Sequence, residues 1–289
     1  MASKRIVVCG GNGFVGSRIC KFAVARGWDV MSISRSGQPR WDAVSASATA
    51  PAWARKVSWE RANLLDATTY RALLSNSDYV VHSMGILLET DYKGLVRGTS
   101  GVISGLRGLL LGSSGPGSAN PLAKGAAPSA SAAQPTYESM NRDSAVTLAR
   151  EAAKAKAKAF AFISAATCPP GVPARYLSTK LEAEQAIATE AALAQQLRSV
   201  FVRAPFMYDA SRKLTLGIAA AAGAAQFLDS ATSGLLGSVL GGNKLVKPLL
   251  VDMVAQATVQ ALDTEDVRGV VGVEQIEKLG EKYWRGSML

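Results

Sequence analysis

Histidine and cysteine are scarce in this chain, with one and three among 289 residues. The cysteines Cys9, Cys20 and Cys168 are odd in number and lack metal-ligand spacing, and His82 is the single imidazole. This argues against a zinc site and against a disulfide framework, so no metal is expected and the thiols read as reduced. Long apolar runs are also lacking. The longest, 214–228, falls short of the ~20 residues that span a bilayer, and Asp229 ends it. No signal peptide is legible, because Ile6 already belongs to a β-branched run, and no Arg/Ser-rich amphipathic leader precedes it. Organelle targeting, if any, is expected to be internal or trimmed away. Aromatics make up 7% of the chain, and no basic block interleaves with them. The formal charge of +10 is spread along the sequence. Nucleic acid is therefore not an expected partner. An acidic cofactor, an anionic membrane surface or an acidic protein suits the charge better.

What the chain does contain begins at its start. The run Arg5-Ile6-Val7-Val8-Cys9 stops at Gly10-Gly11-Asn12-Gly13-Phe14-Val15-Gly16, and an apolar helical pattern follows at once. Glycines at Gly10, Gly13 and Gly16 suit a tight turn, a close backbone approach to a ligand, and close helix–strand packing. A helix starting near Gly13 would point free N–H groups and its positive dipole end at a bound anion such as a pyrophosphate. An ordinary glycine-rich turn would look the same in isolation; the strand before and the helix after favour the ligand site.

The helix is expected over about residues 14–26, with Val15, Ile19, Phe22 and Ala23 on its apolar stripe. A second strand, Asp29-Val30-Met31-Ser32-Ile33, closes on Ser34-Arg35-Ser36-Gly37. In dinucleotide folds this strand end meets the adenosine ribose, where a carboxylate accepts the 2′-hydroxyl. Here the residues are a serine and an arginine, which suit a 2′-phosphate, so NADP(H) is preferred over NAD(H). The stretch 38–55 reads as an irregular connection. Val57-Ser58-Trp59-Glu60-Arg61 is a third strand, followed by a helix with Asp66 as N-cap. Asp78-Tyr79-Val80-Val81-His82-Ser83 is a fourth, which places Met84 and Gly85 near the nicotinamide end. His82 reads as a packed structural residue rather than a catalytic base.

From 98 to 135 the chain is rich in Gly, Ser, Ala and Pro and fits a flexible insertion. Tyr137 opens a long helix expected to run through Lys158, and Phe160-Ala161-Phe162-Ile163-Ser164 is a fifth strand. Tyr176 and Lys180 lie four apart at the start of another helix, expected to reach Leu197. Their side chains project from one face, so the ammonium should lower the phenol pKa and fit it for proton exchange with a carbonyl or alcohol. Ser164 could bond the same oxygen, and Asn141 could hold a relaying water. Ser199-Val200-Phe201-Val202-Arg203 is a sixth strand. Alternating strands and helices define an α/β, Rossmann-like doubly wound parallel sheet. The expected division is a dinucleotide-binding domain over 1–205 and a small, mainly helical C-terminal substrate lobe over 206–289.

On these residues the chain resembles the extended and atypical short-chain dehydrogenase/reductases. The match includes Gly10/Gly13/Gly16, Asn63-Leu64, Asn141, Tyr176/Lys180, Arg203-Ala204-Pro205 and Pro248-Leu249-Leu250-Val251-Asp252-Met253-Val254-Ala255. The segments around the glycine loop, Ser32–Gly37 and Val81–Glu89 are similar to the fungal mitochondrial accessory proteins of ubiquinone biosynthesis. Those are related to an NADPH-binding accessory subunit of respiratory complex I. The resemblance implies a mitochondrial protein at the matrix side of the inner membrane, associated with the coenzyme Q biosynthesis proteins. It implies cofactor contacts from Gly10, Gly11, Asn12, Gly13, Phe14, Val15 and Gly16, and from Ser34, Arg35 and Ser36. Asn63 and Leu64 would meet the adenine, and Ser83, Met84, Gly85 and Lys180 the nicotinamide end. Tyr176, Lys180, Ser164 and Asn141 would be the catalytic set. One departure stands out: the family's Ser-Ser or Ser-Thr pair reads Ser164-Ala165 here, which implies a site able to bind NADPH without turning it over.

Overall fold

A computed structural model describes residues 3–44, 47–86, 136–168, 172–209 and 246–288 of the chain. The expected insertion over 98–135 and the apolar run 214–228 lie outside the described residues. Strand β1 (Arg5–Cys9) leads through the glycine loop into α1 (Phe14–Ala25), then β2 (Asp29–Ser34) and the one-turn α2 (Trp41–Val44). Strands β3 (Val57–Arg61) and β4 (Tyr79–His82) follow, then α3 (Ser144–Lys154), β5 (Ala159–Ala165), α4 (Arg175–Thr189) and α5 (Ala191–Gln196). The chain closes with β6 (Arg198–Ala204), the short pair β7 (Met207–Tyr208) and β8 (Leu249–Leu250), α6 (Val251–Asp263), β9 (Gly269–Val271) and α7 (Val273–Gly286). Among the described residues, seven parallel strands form one sheet in the order β3-β2-β1-β4-β5-β6-β9. This is the doubly wound arrangement expected from the alternation of strands and helices. The order reverses between β1 and β4, which opens the ligand crevice at the carboxyl ends of those strands.

Strand alternation divides β1 between two cores. Ile6 and Val8 face a cluster with Ile19 and Phe22 of α1, Val254 and Leu262 of α6, and Tyr283 of α7. Val7 and Cys9 face the other side, with Tyr70, Leu148 of α3, Phe160 of β5 and Ile187 of α4. Both sheet faces are covered, so the strands carry continuous apolar residues rather than alternating ones. The stripe Val15, Ile19, Phe22 and Ala23 is buried as its spacing predicts.

Residues 246–288 add a strand to this sheet and pack helices on it. Strand β9 pairs with β6 through Phe201↔Val270, and α6 packs beside α1 against the same sheet face, with α7 against α6. Tyr283 Oη donates to Phe22 O at 2.7 Å, and Arg26 and Lys4 both pair with Asp263. At the end of α6, the Arg198 guanidinium donates to the carbonyls of Ala261, Leu262, Thr264 and Val267, which caps the helix.

Several boundaries differ from the sequence expectation. Asp66 does cap, accepting from Thr68 N, but it starts two 3₁₀ turns over Ala67–Thr69 and Arg71–Leu74 instead of an α-helix. Thr69 Oγ1 bonds the carbonyls of Asn63 and Asp66, and this local bonding competes with helix growth. The helix after Tyr137 ends at Lys154, not Lys158. Lys156 turns to φ 59, and Lys158 ion-pairs with Asp78 at 2.8 Å. The helix after Tyr176 breaks at Glu190, whose extended backbone starts a fresh turn that buries Leu193 and Leu197. The stretch 38–55 is more ordered than its composition suggests: Trp41, Trp53 and Trp59 pack edge-on, with Trp41 5.5 Å and 5.8 Å from its partners.

Candidate functional site

The glycine loop sits at the carboxyl end of β1. Gly10 has φ +89, a backbone conformation that costs glycine little and other residues much. A Cβ on Gly16 would lie 2.3 Å from Gly10 O, so the helix can approach the loop only without a side chain. Helix α1 starts at Gly13 with no side-chain cap and no acidic residue in its first turn. With no side chain or carboxylate placed at its start, the positive end of the helix dipole faces the loop, and the loop fits a dinucleotide pyrophosphate.

At the strand end expected to meet the adenosine, Asn12 Nδ2 donates to Ser36 Oγ at 2.6 Å, tying the glycine loop to the turn after β2. Ser34 is buried and its hydroxyl donates to Gly37 O at 2.8 Å, so the turn uses that hydroxyl. Arg35 and Ser36 are exposed on the rim. Asn63 is also exposed, its Oδ1 accepting from Leu65 N at 3.2 Å, while Leu64 is buried in the core below.

At the other end, Ser83 N and Oγ both donate to Cys9 O, at 2.9 and 3.0 Å, fixing the chain as it leaves β4. Met84 and Gly85 follow. Asn141 belongs to a π-helical turn over Glu138–Asp143. Such turns are rare, and this one displaces the side chain from the α-helical register. Its Oδ1 accepts from Ile86 N at 3.0 Å. A Cβ on Gly85 would meet that Oδ1 at 3.1 Å and Lys180 Nζ at 3.4 Å, so these three residues share one close-packed corner.

Tyr176 and Lys180 lie on α4 as expected, but their electrostatics differ from the expectation. The Lys180 Nζ is buried and donates to Ile163 O at 2.8 Å. Burial pushes its pKa down to about 8. The Tyr176 phenol is pushed up to about 12, chiefly by burial, with Cys168 and Tyr137 adding to it. The ammonium lies 5.7 Å from the Tyr176 ring centroid and is directed to a backbone carbonyl, so it does not lower the phenol pKa in this arrangement.

Ser164 comes from the end of β5, and its hydroxyl donates to Glu184 on α4. Glu184 is buried and also accepts from Arg203 of β6, at 3.0 Å from Nε and 2.7 Å from Nη2. This Ser164–Glu184–Arg203 clamp escaped the sequence reasoning. Its signal was present, since Glu184 is four residues past Lys180 on the same helix face. Ala165 is buried beside it without a hydroxyl.

His82 is structural, in line with its sequence reading. Ser144 Oγ donates to Met140 O at 2.9 Å, so its hydrogen is committed. His82 must then donate through Nε2, 2.9 Å from Ser144 Oγ. That assigns the tautomer from the network and leaves Nδ1 a bare lone pair, unpartnered among the described residues. Burial, with the Lys180 charge adding, pushes the His82 pKa down to about 3, so the ring is neutral.

The sheet order, the glycine loop and the uncapped α1 together define a nicotinamide-dinucleotide-binding protein of the Rossmann type. Residues 6–90 match the NAD dependent epimerase/dehydratase family. Over 288 residues the chain is 32% identical to MIOREX complex component 2 of Saccharomyces cerevisiae, covering 95% of this chain and 99% of that protein. The chain belongs to the epimerase/dehydratase family, as a full-length relative of that yeast protein. Among solved structures it is similar in fold to the UDP-Glc/GlcNAc 4-epimerase of Campylobacter jejuni. The TM-score is 0.56 at 16% identity, covering 99% of this chain and 84% of that one. It is also similar to UDP-glucuronic acid 4-epimerase of Bacillus cereus in complex with NAD, with TM-score 0.53 at 15% identity, covering 93% and 76%.

Proposed function

We propose that the protein binds NADP(H) in preference to NAD(H) and takes part in ubiquinone biosynthesis in mitochondria, at the matrix side of the inner membrane. The observation that carries the cofactor is the uncapped start of α1 inside the Gly10/Gly13/Gly16 loop, with Arg35 at the ribose corner where a carboxylate would select NAD(H). Assembly with coenzyme Q biosynthesis proteins, and peripheral contact with an anionic membrane, are supported by the charge of +10 and the sequence resemblance. The full-length likeness to a protein named as a complex component supports a protein partner as well. A bound nicotinamide would supply or accept hydride. Tyr176 would then exchange the proton at its phenol oxygen, Lys180 would orient the neighbouring ribose, and Asn141 would hold the loop after β4 in place.

A second reading is a nucleotide-stabilised scaffold without turnover. It is favoured by the commitment of the Ser164 hydroxyl to Glu184 and by the missing hydroxyl at Ala165. Polarising a carbonyl needs a donor aimed at its oxygen. One experiment separates the two. The purified protein and Tyr176→Phe are each incubated with NADPH and quinone-ring intermediates, and NADPH oxidation is followed. Oxidation lost in Tyr176→Phe supports a reductase; NADPH bound but unoxidised by either form supports the scaffold; failure of NADPH to bind removes both.

A further inference from the structure

We propose that Arg61, at the carboxyl end of β3, is a determinant of cofactor choice and clamps the adenosine 2′-phosphate together with Arg35. This rests on the NADP(H) preference proposed above and names the residue that would carry it. Arg61 pairs in register with Ser34, the last residue of β2, and the two strands continue their bonding through Ala62 N to Ser34 O at 3.1 Å. In parallel strands registered residues project to the same face, so Arg61 rises beside the turn that holds the ribose corner. The turn itself leaves room for it. Gly37 has φ +73, and a Cβ there would lie 3.0 Å from Arg61 Cγ and 3.6 Å from Cδ. The aliphatic stem of Arg61 therefore packs against the turn, with the guanidinium two bonds beyond Cδ.

The chemistry at this corner is cationic. The Ser34 hydroxyl is used by Gly37 O, so a 2′-phosphate placed here would meet guanidinium groups in place of that hydroxyl. Arg35 and Arg61 are exposed and form no ion pair among the described residues. The carboxylates on the flanking segments are occupied or turned away. Asp42 holds Arg40 at 2.7 Å, Asp66 accepts from Thr68, and Glu60 projects to the opposite sheet face from its neighbour Arg61. Two planar guanidinium forks around a phosphate dianion give charge-assisted, bidentate contacts that a ribose 2′-hydroxyl cannot match.

Calorimetry with adenosine 2′,5′-bisphosphate and AMP, which differ only in the 2′-phosphate, isolates this corner without any turnover. The full chain, Arg61→Gln and Arg35→Gln are compared; glutamine keeps the stem that packs on Gly37, and circular dichroism checks the fold. The expected result is a preference for the bisphosphate in the wild type that falls by about tenfold or more in Arg61→Gln, with AMP affinity unchanged. If the preference survives in Arg61→Gln and is lost in Arg35→Gln, Arg61 has no part in it and the NADP(H) reading stands. If the wild type binds both ligands equally, the cofactor preference fails and this assignment fails with it.

Discussion

Acid lability should be traceable to one buried imidazole. The unfolded chain binds a proton at His82 below about pH 6.5, whereas the native ring stays neutral down to about 3. Because the native pKa is depressed, the contribution is intact above about pH 6.5 and is lost progressively as pH falls toward 3. Inside that window the slope is about 1.4 kcal/mol per pH unit, so between pH 6 and pH 4 this side chain removes roughly 2–3 kcal/mol. That is a large share of a net stability of about 5–15 kcal/mol. Urea unfolding followed by tryptophan fluorescence at pH 7, 6, 5 and 4 measures it. The reference is His82→Met/Ser144→Ala, which replaces both hydrogen-bond partners with apolar groups, while carboxylate titration affects both proteins alike. The double variant should lose stability less steeply, the gap between the two curves growing by roughly 2–3 kcal/mol from pH 6 to pH 4. Parallel curves would refute the assignment of a neutral, desolvated His82.

Three further outcomes are expected. Glu184→Gln leaves the Arg203 charge without its carboxylate and weakens the bond to Ser164; with Arg203 partly exposed, the loss in urea unfolding should be roughly 1–3 kcal/mol. Gly16→Ala forces a Cβ onto Gly10 O, so stability should fall by about 1–3 kcal/mol and the thermal shift produced by NADPH should disappear. Arg198→Met uncaps α6 by removing donors from four carbonyls, and should cost roughly 2–4 kcal/mol with a loss of helical ellipticity on heating.

The first half of the sheet was legible because its signals are local. A β-branched run, a glycine triplet and a 3.6-residue stripe each fit within a dozen residues, and β1, the loop and α1 follow from them. The boundaries that failed depend on contacts made elsewhere in the chain. The break at Glu190 exists because Leu193 and Leu197 must reach the second core, and the end of α3 follows from Lys158 reaching Asp78. The π-helical turn at Asn141 is a register choice that the pattern over 137–158 does not encode. Spacing alone placed Tyr176 and Lys180 on one helix. The phenol shift was mispredicted, because a spacing rule places two side chains on one face and says nothing of where the ammonium points. Trp41 and Trp53 lie in a stretch whose alanine, serine and proline content masks a tertiary cluster with Trp59 of β3.

The packing of α6 and α7 beside α1 has a consequence for how the protein comes into being. Tyr283 and Phe22 touch across 261 positions of chain. A ribosome or an import channel would deliver the glycine loop and α1 long before the helices that complete the core beside α1. Until then Ile19 and Phe22 stand open to solvent, a long-range closure of the kind that slows folding and invites holding chaperones. Thermodynamic linkage also runs the other way. A ligand seated at the start of α1 stabilises the fold that holds α7 in place, so the last helix of the protein becomes a reporter of occupancy at its first loop.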